Sequence, residues 1–232
     1  MPVTKKWFVV CIVAISMTIL FAGSVYAGKI KSFSADQVTL TPGGQVENST
    51  KLYITPDKIR ADMHPQQGEG NMIMIMRRDR NLNWTLNPDN KSYVEKPLNE
   101  EEWEGMARGM VKSMDEKDLG TETVNGFKCH KKSVRMVVEV MGFRTESNSI
   151  VWISDKLDIP VRIKTEDGHV TELRNIKTGN QSSKLFEIPG GYKKVGNMME
   201  LFGGSDQGGG GGISLPEGLG DKLKGLNFPP SN

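Results

Sequence analysis

The side chains best suited to catalysis or metal binding are those of His64, His130, His169 and Cys129. No two of the histidines have the spacing that places two ligands on one face of a helix, so we predict no zinc site. Cys129 and His130 are neighbours. Adjacent side chains on a β-strand point to opposite faces, so these two cannot pair as nucleophile and base. We therefore expect Cys129 to be a small buried residue.

Sequence motifs that would define an enzyme are also missing. There is no G-x-S-x-G nucleophile elbow, no P-loop and no G-x-G-x-x-G loop, and Gly208–Gly212 is not followed by the Lys-Ser or Lys-Thr of a P-loop. The acidic run Glu100-Glu101-Glu102 suits the positive end of a helix dipole better than a pair of catalytic carboxylates. We predict that the protein is not an enzyme and that it uses no cofactor and no metal.

Composition and charge indicate a soluble globular chain. Apolar residues make up 37% and charged residues 25% of the 232 residues, and 30 Lys+Arg stand against 28 Asp+Glu. Removal of a leader that contains Lys5 and Lys6 leaves 28 basic against 28 acidic residues, a net charge of zero. A neutral chain gives no electrostatic reason to expect nucleic acid or an anionic membrane as its main partner.

The first 27 residues have the features of an export signal. Lys5 and Lys6 form a short basic region, an apolar run extends from Trp7 to Ala22, and Val25-Tyr26-Ala27 ends in the small residue that a cleavage site needs. The run is shorter than the roughly 20 residues that cross a bilayer. Cys11 lies inside it, away from the position of a lipid-attachment cysteine. We predict a signal peptide over residues 1–27, cleavage after Ala27, and a mature protein in the periplasm.

Short β-rich runs separated by turn residues begin at Phe33. Asn125-Gly126 and Asp167-Gly168 each give the two-residue signal of a β-hairpin. Connections this short leave no room for crossover helices, so the sheet must be antiparallel. The pattern predicts about eleven strands, among them Phe33–Leu40, Asn71–Met76, Leu82–Leu86, Gly120–Val124, Lys128–Val138 and Leu185–Ile188. The fold class is therefore mainly β with a few helices.

One helix is predicted at Asn99–Met114, inside the run of strands. Asn99 can cap it, and Glu102 completes a capping box. Its apolar residues recur with helical spacing and form one stripe, which consists of Trp103, Met106, Ala107, Met110, Val111 and Met114. Gly105 and Gly109 weaken this helix, because each costs about 1 kcal/mol relative to alanine.

The chain changes character towards its C-terminus. A weakly helical stretch is predicted at Val195–Phe202, and from Gly203 the sequence becomes rich in glycine. Pro216, Pro229 and Pro230 add helix and strand breakers. We predict one folded domain over residues 28–202 and a disordered tail over residues 203–232.

Methionine is unusually frequent, and it concentrates on one strand and on the predicted helix. Alternation places Met72, Met74 and Met76 on one face of the sheet, with Ile73 and Ile75 on the other. One interpretation is an ordinary core that uses methionine as filler, and the other is a cavity for an acyl chain with the helix as its lid. For the second interpretation the candidate ligand-binding residues are Met72, Met74, Met76, Trp84, Leu86, Trp103, Met106, Met110 and Met114.

Several segments resemble a known family. Leu52-Tyr53-Ile54-Thr55-Pro56 and the later Leu82–Pro88 are similar to the periplasmic carriers that sort outer-membrane lipoproteins (LolA/LolB-like). Leu119–Cys129 and Val151-Trp152-Ile153-Ser154 bring the chain closest to an uncharacterised, DUF4412-like branch of that superfamily. The resemblance covers roughly residues 33–195. One position departs from the carriers, since they have a basic residue directly before the proline and this chain has Thr55.

The resemblance implies a strongly curved, incomplete antiparallel β-barrel of about eleven strands, with a helical lid over an apolar concave side. In the carriers that side receives the acyl chains of a lipoprotein, and no covalent chemistry occurs. Two functions stay open on this basis. One is a monomeric carrier or chaperone of lipid or acylated protein cargo. The other is an envelope interaction or sensor module with a filled core and a protein partner.

Overall fold

A computed structural model describes residues 31–65, 70–98, 111–140 and 143–203. Two 3-10 turns, at Arg78–Arg80 and Ser183–Phe186, and one helical turn, α1 (Met198–Leu201), occur in these ranges. The strands are β1 (Phe33–Leu40), β2 (Val46–Ile54), β3 (Lys58–Pro65), β4 (Met72–Arg77), β5 (Leu82–Asn87), β6 (Ser92–Pro97), β7 (Val111–Val124), β8 (Phe127–Val140), β9 (Phe143–Ser154), β10 (Pro160–Thr165), β11 (Val170–Thr178) and β12 (Lys193–Lys194). The predicted signal peptide and residues 204–232 of the predicted tail lie outside the described ranges.

The strands form one open, curved sheet in the order β12-β6-β5-β4-β3-β2-β1-β11-β10-β9-β8-β7. Neighbouring strands are antiparallel, apart from β12, which runs parallel to β6. The predicted mainly β, antiparallel architecture is confirmed. The described sheet has twelve strands, where the sequence predicted about eleven, and β12 is a two-residue strand that exists only through its pairing with β6.

The hairpin between β7 and β8 turns where the sequence predicted it. Val124 pairs with Phe127, so Asn125 and Gly126 are the two turn residues. Their φ angles are 50° and 83°, the left-handed values that a two-residue hairpin of this type requires. The Asn125 side chain also donates a hydrogen bond to the Leu173 carbonyl oxygen at 2.8 Å, which ties the turn to β11.

Two segments differ from the predicted elements. Residues 111–114, the last turn of the predicted helix, begin strand β7, because Val111, Ser113 and Met114 pair with β8; residues 99–110 lie outside the described ranges. The predicted strand Leu185–Ile188 is wrong, since Ser183–Phe186 form a 3-10 turn with Phe186 fully buried. The predicted C-terminal helical stretch contracts to α1, whose first turn is capped by the Asn197 side chain, which accepts from the Glu200 amide.

Two apolar clusters form the core. Cluster 1 contains the buried residues Phe33, Ala35, Leu52, Ile54, Ala61, Val124, Cys129, Trp152, Leu157, Ile159, Val161 and Leu173. Cluster 2 is smaller and contains Ile75, Trp84, Leu86 and Phe186. Within the described part of the chain, no helix has the length and apolarity needed to cross a bilayer.

Candidate functional site

The methionines of β3 and β4 lie side by side on one face of the sheet. Met63 pairs with Met72, Ala61 with Met74, and Ile59 with Met76. Residues directly opposite on paired strands share a face, so these six side chains form one apolar surface. We call this surface the methionine face, and it confirms the predicted alternation along β4.

The methionine face borders cluster 1, and its side chains are only partly enclosed. Ile59, Met63 and Met74 are half-buried and pack against cluster 1. Met72 is also half-buried, whereas Met76 is 6% exposed. The face therefore combines a packed base with flexible side chains that keep part of their surface accessible.

The opposite face of the same strands is closed by the C-terminal part of the chain. Ile75 pairs with Trp84, and Ile73 with Leu86, so these four residues point away from the methionines. Phe186 is 1% exposed and completes cluster 2, against which Leu185, Ile188 and Tyr192 also pack. We call residues 183–192 the C-terminal strap.

The candidate binding residues are consequently not all in one place. Met72, Met74 and Met76 share the methionine face, but Trp84 and Leu86 lie on the opposite face under the C-terminal strap. The Trp84 indole N–H donates to Glu95 Oε2 at 2.8 Å, which satisfies its polar atom. Alternation within β5 is the signal that separates these residues, and it becomes informative only once the register with β4 is known.

The structure describes only one of the four candidate binding residues of the predicted helix, Met114. Trp103, Met106 and Met110 lie outside the described residues. Met114 is on β7 rather than on a helix, at the opposite end of the strand order from β6, and it is 44% exposed. The structure therefore does not join Met114 to the methionine face. Helical periodicity included it by chance, because an exposed apolar residue on an edge strand can also match a helical spacing.

A row of polar residues on β5 borders the methionine face, and sequence analysis missed it. Asn83 pairs with Met76 on one side and with Lys96 on the other, and Thr85 lies between Met74 and Val94 in the same way. The Asn83 side-chain oxygen is buried and has no hydrogen-bond partner among the described residues. A polar residue at every second position of Asn83-Trp84-Thr85-Leu86-Asn87 is the signal that could have found this row.

Two arginines hold the C-terminal strap against the sheet. Arg60 Nη1 donates to the Leu185 carbonyl oxygen at 2.9 Å, and Arg77 Nη1 donates to that of Phe186 at 3.0 Å. Arg77 also binds both oxygens of Asp79 at 2.8 Å and Glu187 Oε1 at 2.6 Å. These contacts join strands β3 and β4 to a segment more than a hundred residues away.

The charges of Arg77, Asp79 and Glu187 stabilise one another. Hydrogen bonds from Asp79 raise the pKa of Arg77 most, against the opposing effect of burial, and Glu187 raises it further. The guanidinium of Arg77 in turn lowers the pKa of Asp79. Burial works to raise the pKa of Glu187, but hydrogen bonds and charge from Arg77 outweigh it, so that pKa is also lowered. Arg77, Asp79 and Glu187 are therefore all ionised at neutral pH.

Thr55, which replaces the carriers' basic residue, has a local structural role. Its hydroxyl group donates to Asp57 Oδ1 at 3.0 Å and to the Lys58 carbonyl oxygen at 3.3 Å. The Thr55 amide also donates to that carbonyl oxygen at 2.8 Å. Thr55 therefore closes the turn between β2 and β3.

The residues that first suggested catalysis are apart from one another. Cys129 is fully buried, as expected, and burial raises the pKa of its thiol. Its Sγ donates to the Phe127 carbonyl oxygen at 3.2 Å. His130 instead faces Asp155, 3.2 Å from Nε2 to Oδ1. Across the described ranges, no group of three or more His, Cys, Asp or Glu side chains is arranged to hold a metal ion.

A shallow depression lies over β10 and β11, away from the methionines. It has no enclosed space for a water molecule and is lined by Pro160, Val161, Arg162, Ile163, Thr171, Glu172 and Leu173. The depression is therefore too small to serve as an acyl cavity.

The part of the chain that carries the methionine face matches a known family model. Residues 37–159, more than half of the sequence, match the model described as a domain of unknown function, DUF4412. The chain belongs to the DUF4412 family. This confirms the branch to which the sequence was closest. The DUF4412 region spans β2 to β9 and thus the methionine face, whereas the C-terminal strap lies outside the matched residues.

Several solved structures are similar to this DUF4412 protein. An uncharacterized conserved protein from Thermus thermophilus is 14% identical, with 78% of this chain and 98% of that chain covered and a TM-score of 0.47. LprF from Mycobacterium bovis is 15% identical, with 74% of this chain and 94% of LprF covered and a TM-score of 0.39. PNGF-II is 11% identical, with 74% of this chain covered but only 32% of PNGF-II, and a TM-score of 0.45.

These sequence identities and TM-scores are too low to transfer an architecture or a function to this chain. Among curated proteins, none matches the sequence. What the DUF4412 protein does must therefore be argued from its own residues.

Proposed function

We propose that this protein is a non-enzymatic binding protein or chaperone of the periplasm that holds a lipid, an acyl chain or a lipoprotein on its methionine face. The observation that carries the proposal is the half-buried row of Ile59, Met63, Met72 and Met74 beside the closed core of cluster 1. Export by the signal peptide predicted over residues 1–27 is part of the proposal, as is the absence of covalent chemistry.

The chemistry of methionine suits this cargo. Its unbranched, polarisable side chain adapts to chains that differ in length and shape, which a rigid surface of branched residues cannot do. Each methylene group removed from water contributes about 0.8 kcal/mol. A long acyl chain laid along Met63, Met72 and Met74 therefore gains several kcal/mol, which offsets the entropic cost of association.

The other face of these strands offers no comparable surface. There Phe186 already fills the space above Ile75, Trp84 and Leu86, and Arg60 and Arg77 fix it by hydrogen bonds to the strap backbone. An acyl chain would have to displace a segment of the same polypeptide to reach that face. The methionine face is therefore the better candidate.

A second candidate function is an envelope interaction module, and one feature favours it. Strand β7 ends the described sheet and exposes Met114 and Leu119 by 44% and 40%. An edge strand with exposed apolar residues can pair with a partner protein. Asp115, Glu116, Lys117 and Asp118 lie on the same strand, and charges of this kind normally protect an edge against pairing. We therefore rank this function second.

The test is native mass spectrometry of the mature protein purified from its own envelope without detergent, followed by solvent extraction. A co-purifying lipid or acylated peptide is expected. A mass without ligand, combined with no uptake of a fluorescent fatty-acid probe, would favour the interaction module instead.

A charge on the methionine face should abolish binding of that probe. We expect Met74→Lys to weaken binding at least about tenfold, because an acyl chain cannot cover an ammonium group without losing its hydration. Met72→Lys, at a side chain outside both core clusters, serves if Met74→Lys does not fold. The matched control is Met199→Lys on α1, where the side chain is already 64% exposed. Normal binding by folded Met72→Lys and Met74→Lys would contradict the proposed site.

A further inference from the structure

We infer that the ligand of the methionine face presents a hydrogen-bond donor beside its acyl carbonyl group, as an N-acyl amide does, and that Asn83 receives it. This inference rests on the proposed function and specifies the chemical class of the cargo. It depends on the placement of Asn83 and on one unpaired atom of its side chain.

Asn83 is positioned at the border between apolar and polar surface. Its neighbours across the strands are Met76 and Lys96, so its carboxamide lies on the methionine face and next to an exposed lysine. Met76 is 6% exposed and the Asn83 oxygen is shielded from solvent, so a chain that lies along Met74 reaches this carboxamide when the flexible Met76 side chain changes rotamer. The border is where the polar head of an amphiphile must sit if its tail is to remain on the methionines.

The Asn83 Oδ1 atom needs a donor. It is buried and unpaired within the described part of the chain, and the half-buried Thr85 next along the same face makes no side-chain hydrogen bond there. Buried polar groups are nearly always paired, since an unpaired one loses its hydration without compensation. Of the polar residues on this face of β5, Asn87 is already used, because it donates to the Leu201 carbonyl oxygen at 3.0 Å.

The donor that fits is an amide N–H attached to an acyl chain. Asn83 Oδ1 can accept a hydrogen bond from the ligand N–H. In the trans form that a secondary amide adopts, the ligand carbonyl oxygen points the opposite way and does not bind the same carboxamide. An ester of the same length offers only the acceptor, which would leave Oδ1 unpaired.

The test compares two probes that differ in one group, N-methyl dodecanamide and methyl dodecanoate, in displacement of a fluorescent fatty acid from the mature full-length chain. We expect the wild-type protein to prefer the amide about tenfold, which corresponds to about 1.4 kcal/mol and to one hydrogen bond at a partly buried site. Asn83→Leu and Asn83→Ala, which have no acceptor in the side chain, should both lose the preference. Asn83→Asp, which keeps an acceptor, should retain it.

Thr85→Val is the matched control on the same strand and the same face. If Asn83 receives the amide N–H, loss of the Thr85 hydroxyl group should leave the ratio of the two affinities unchanged. Equal affinity of the wild-type protein for both probes would overturn the inference while leaving the proposed function in place, as water would then be the partner of Oδ1. A preference that survives Asn83→Leu and Asn83→Ala would also overturn it. Failure of both probes to bind would count against the proposed function itself.

Discussion

At the residue scale, Arg77 shows how one side chain can fix a distant segment. It is 3% exposed, yet it binds two carboxylates and a backbone carbonyl oxygen, so each part of its guanidinium group is paired. Arg77 and Arg78 are adjacent basic residues at the end of β4, and Arg77 is the one that follows Ile75 onto the face under the strap.

Replacing Arg77 by methionine should therefore destabilise the protein. We expect Arg77→Met to lower the free energy of unfolding by about 2 kcal/mol, because it leaves the Phe186 carbonyl oxygen buried without a donor. Urea denaturation followed by circular dichroism measures this. Arg80→Met is the matched control, since Arg80 binds the same Glu187 but is 47% exposed; we expect a loss below about 1 kcal/mol there. Equal losses in the two variants would show that burial of Arg77 is not the cause.

At the element scale, the turn between β7 and β8 was predictable because its chemistry is local. Gly126 adopts a φ of 83°, and a Cβ added there would meet nothing within 4 Å. Any cost of a side chain at this position therefore comes from the backbone conformation alone. The strap is the opposite case, because the residues of Ser183–Phe186 carry no periodic signal and depend on contacts with β3 and β4.

Substitution of the turn glycine should expose this backbone cost. We expect Gly126→Ala to lower stability by about 1–2 kcal/mol, the usual cost of the left-handed conformation for a residue with a side chain. Gly190→Ala is the control: an added Cβ there also meets nothing within 4 Å, but φ is not in the left-handed region. Thermal denaturation of both variants measures the difference. An unchanged midpoint in Gly126→Ala would mean that the turn relaxes into another form.

At the scale of the whole molecule, the sheet has a different cover on each side of β4 and β5. The strap closes one side, and the methionine face forms the other. This asymmetry is what makes the methionine face the candidate binding surface. The C-terminal region divides into the strap, which packs on the sheet, and residues 204–232, which lie outside the described ranges.

Truncation at two points should separate the contributions of these two parts to stability. We expect deletion of residues 204–232 to leave the thermal midpoint unchanged, because the Gly-rich composition of that segment predicts no packed structure. Deletion of residues 182–232 should lower it sharply or prevent folding, since it removes Phe186 from cluster 2, and loss of a buried phenylalanine side chain alone costs about 3–5 kcal/mol. A clear fall in midpoint for the shorter deletion would contradict the predicted disorder.

The sequence alone determined the features that depend on neighbouring residues. Alternation along Met72–Arg77 placed methionines and isoleucines on opposite faces, Asn125-Gly126 located a hairpin, and the adjacency of Cys129 and His130 ruled out a catalytic pair. These follow from the two-residue repeat of the β pleat and from backbone preferences. The match over residues 37–159 adds the family, again from sequence.

Only the tertiary structure decided which strands share a face and what covers it. Strand register placed Trp84 and Leu86 opposite the methionines and brought Asn83 beside Met76. Pairing with β8 made residues 111–114 a strand. Arg77 donates a hydrogen bond to the carbonyl oxygen of Phe186, which is 109 residues further along the chain. A shift of one residue in register would reverse every such assignment. Register between β4 and β5 is set by the turn at Arg78–Asn81 and by the face that each strand buries, and alternation along one strand does not by itself give it.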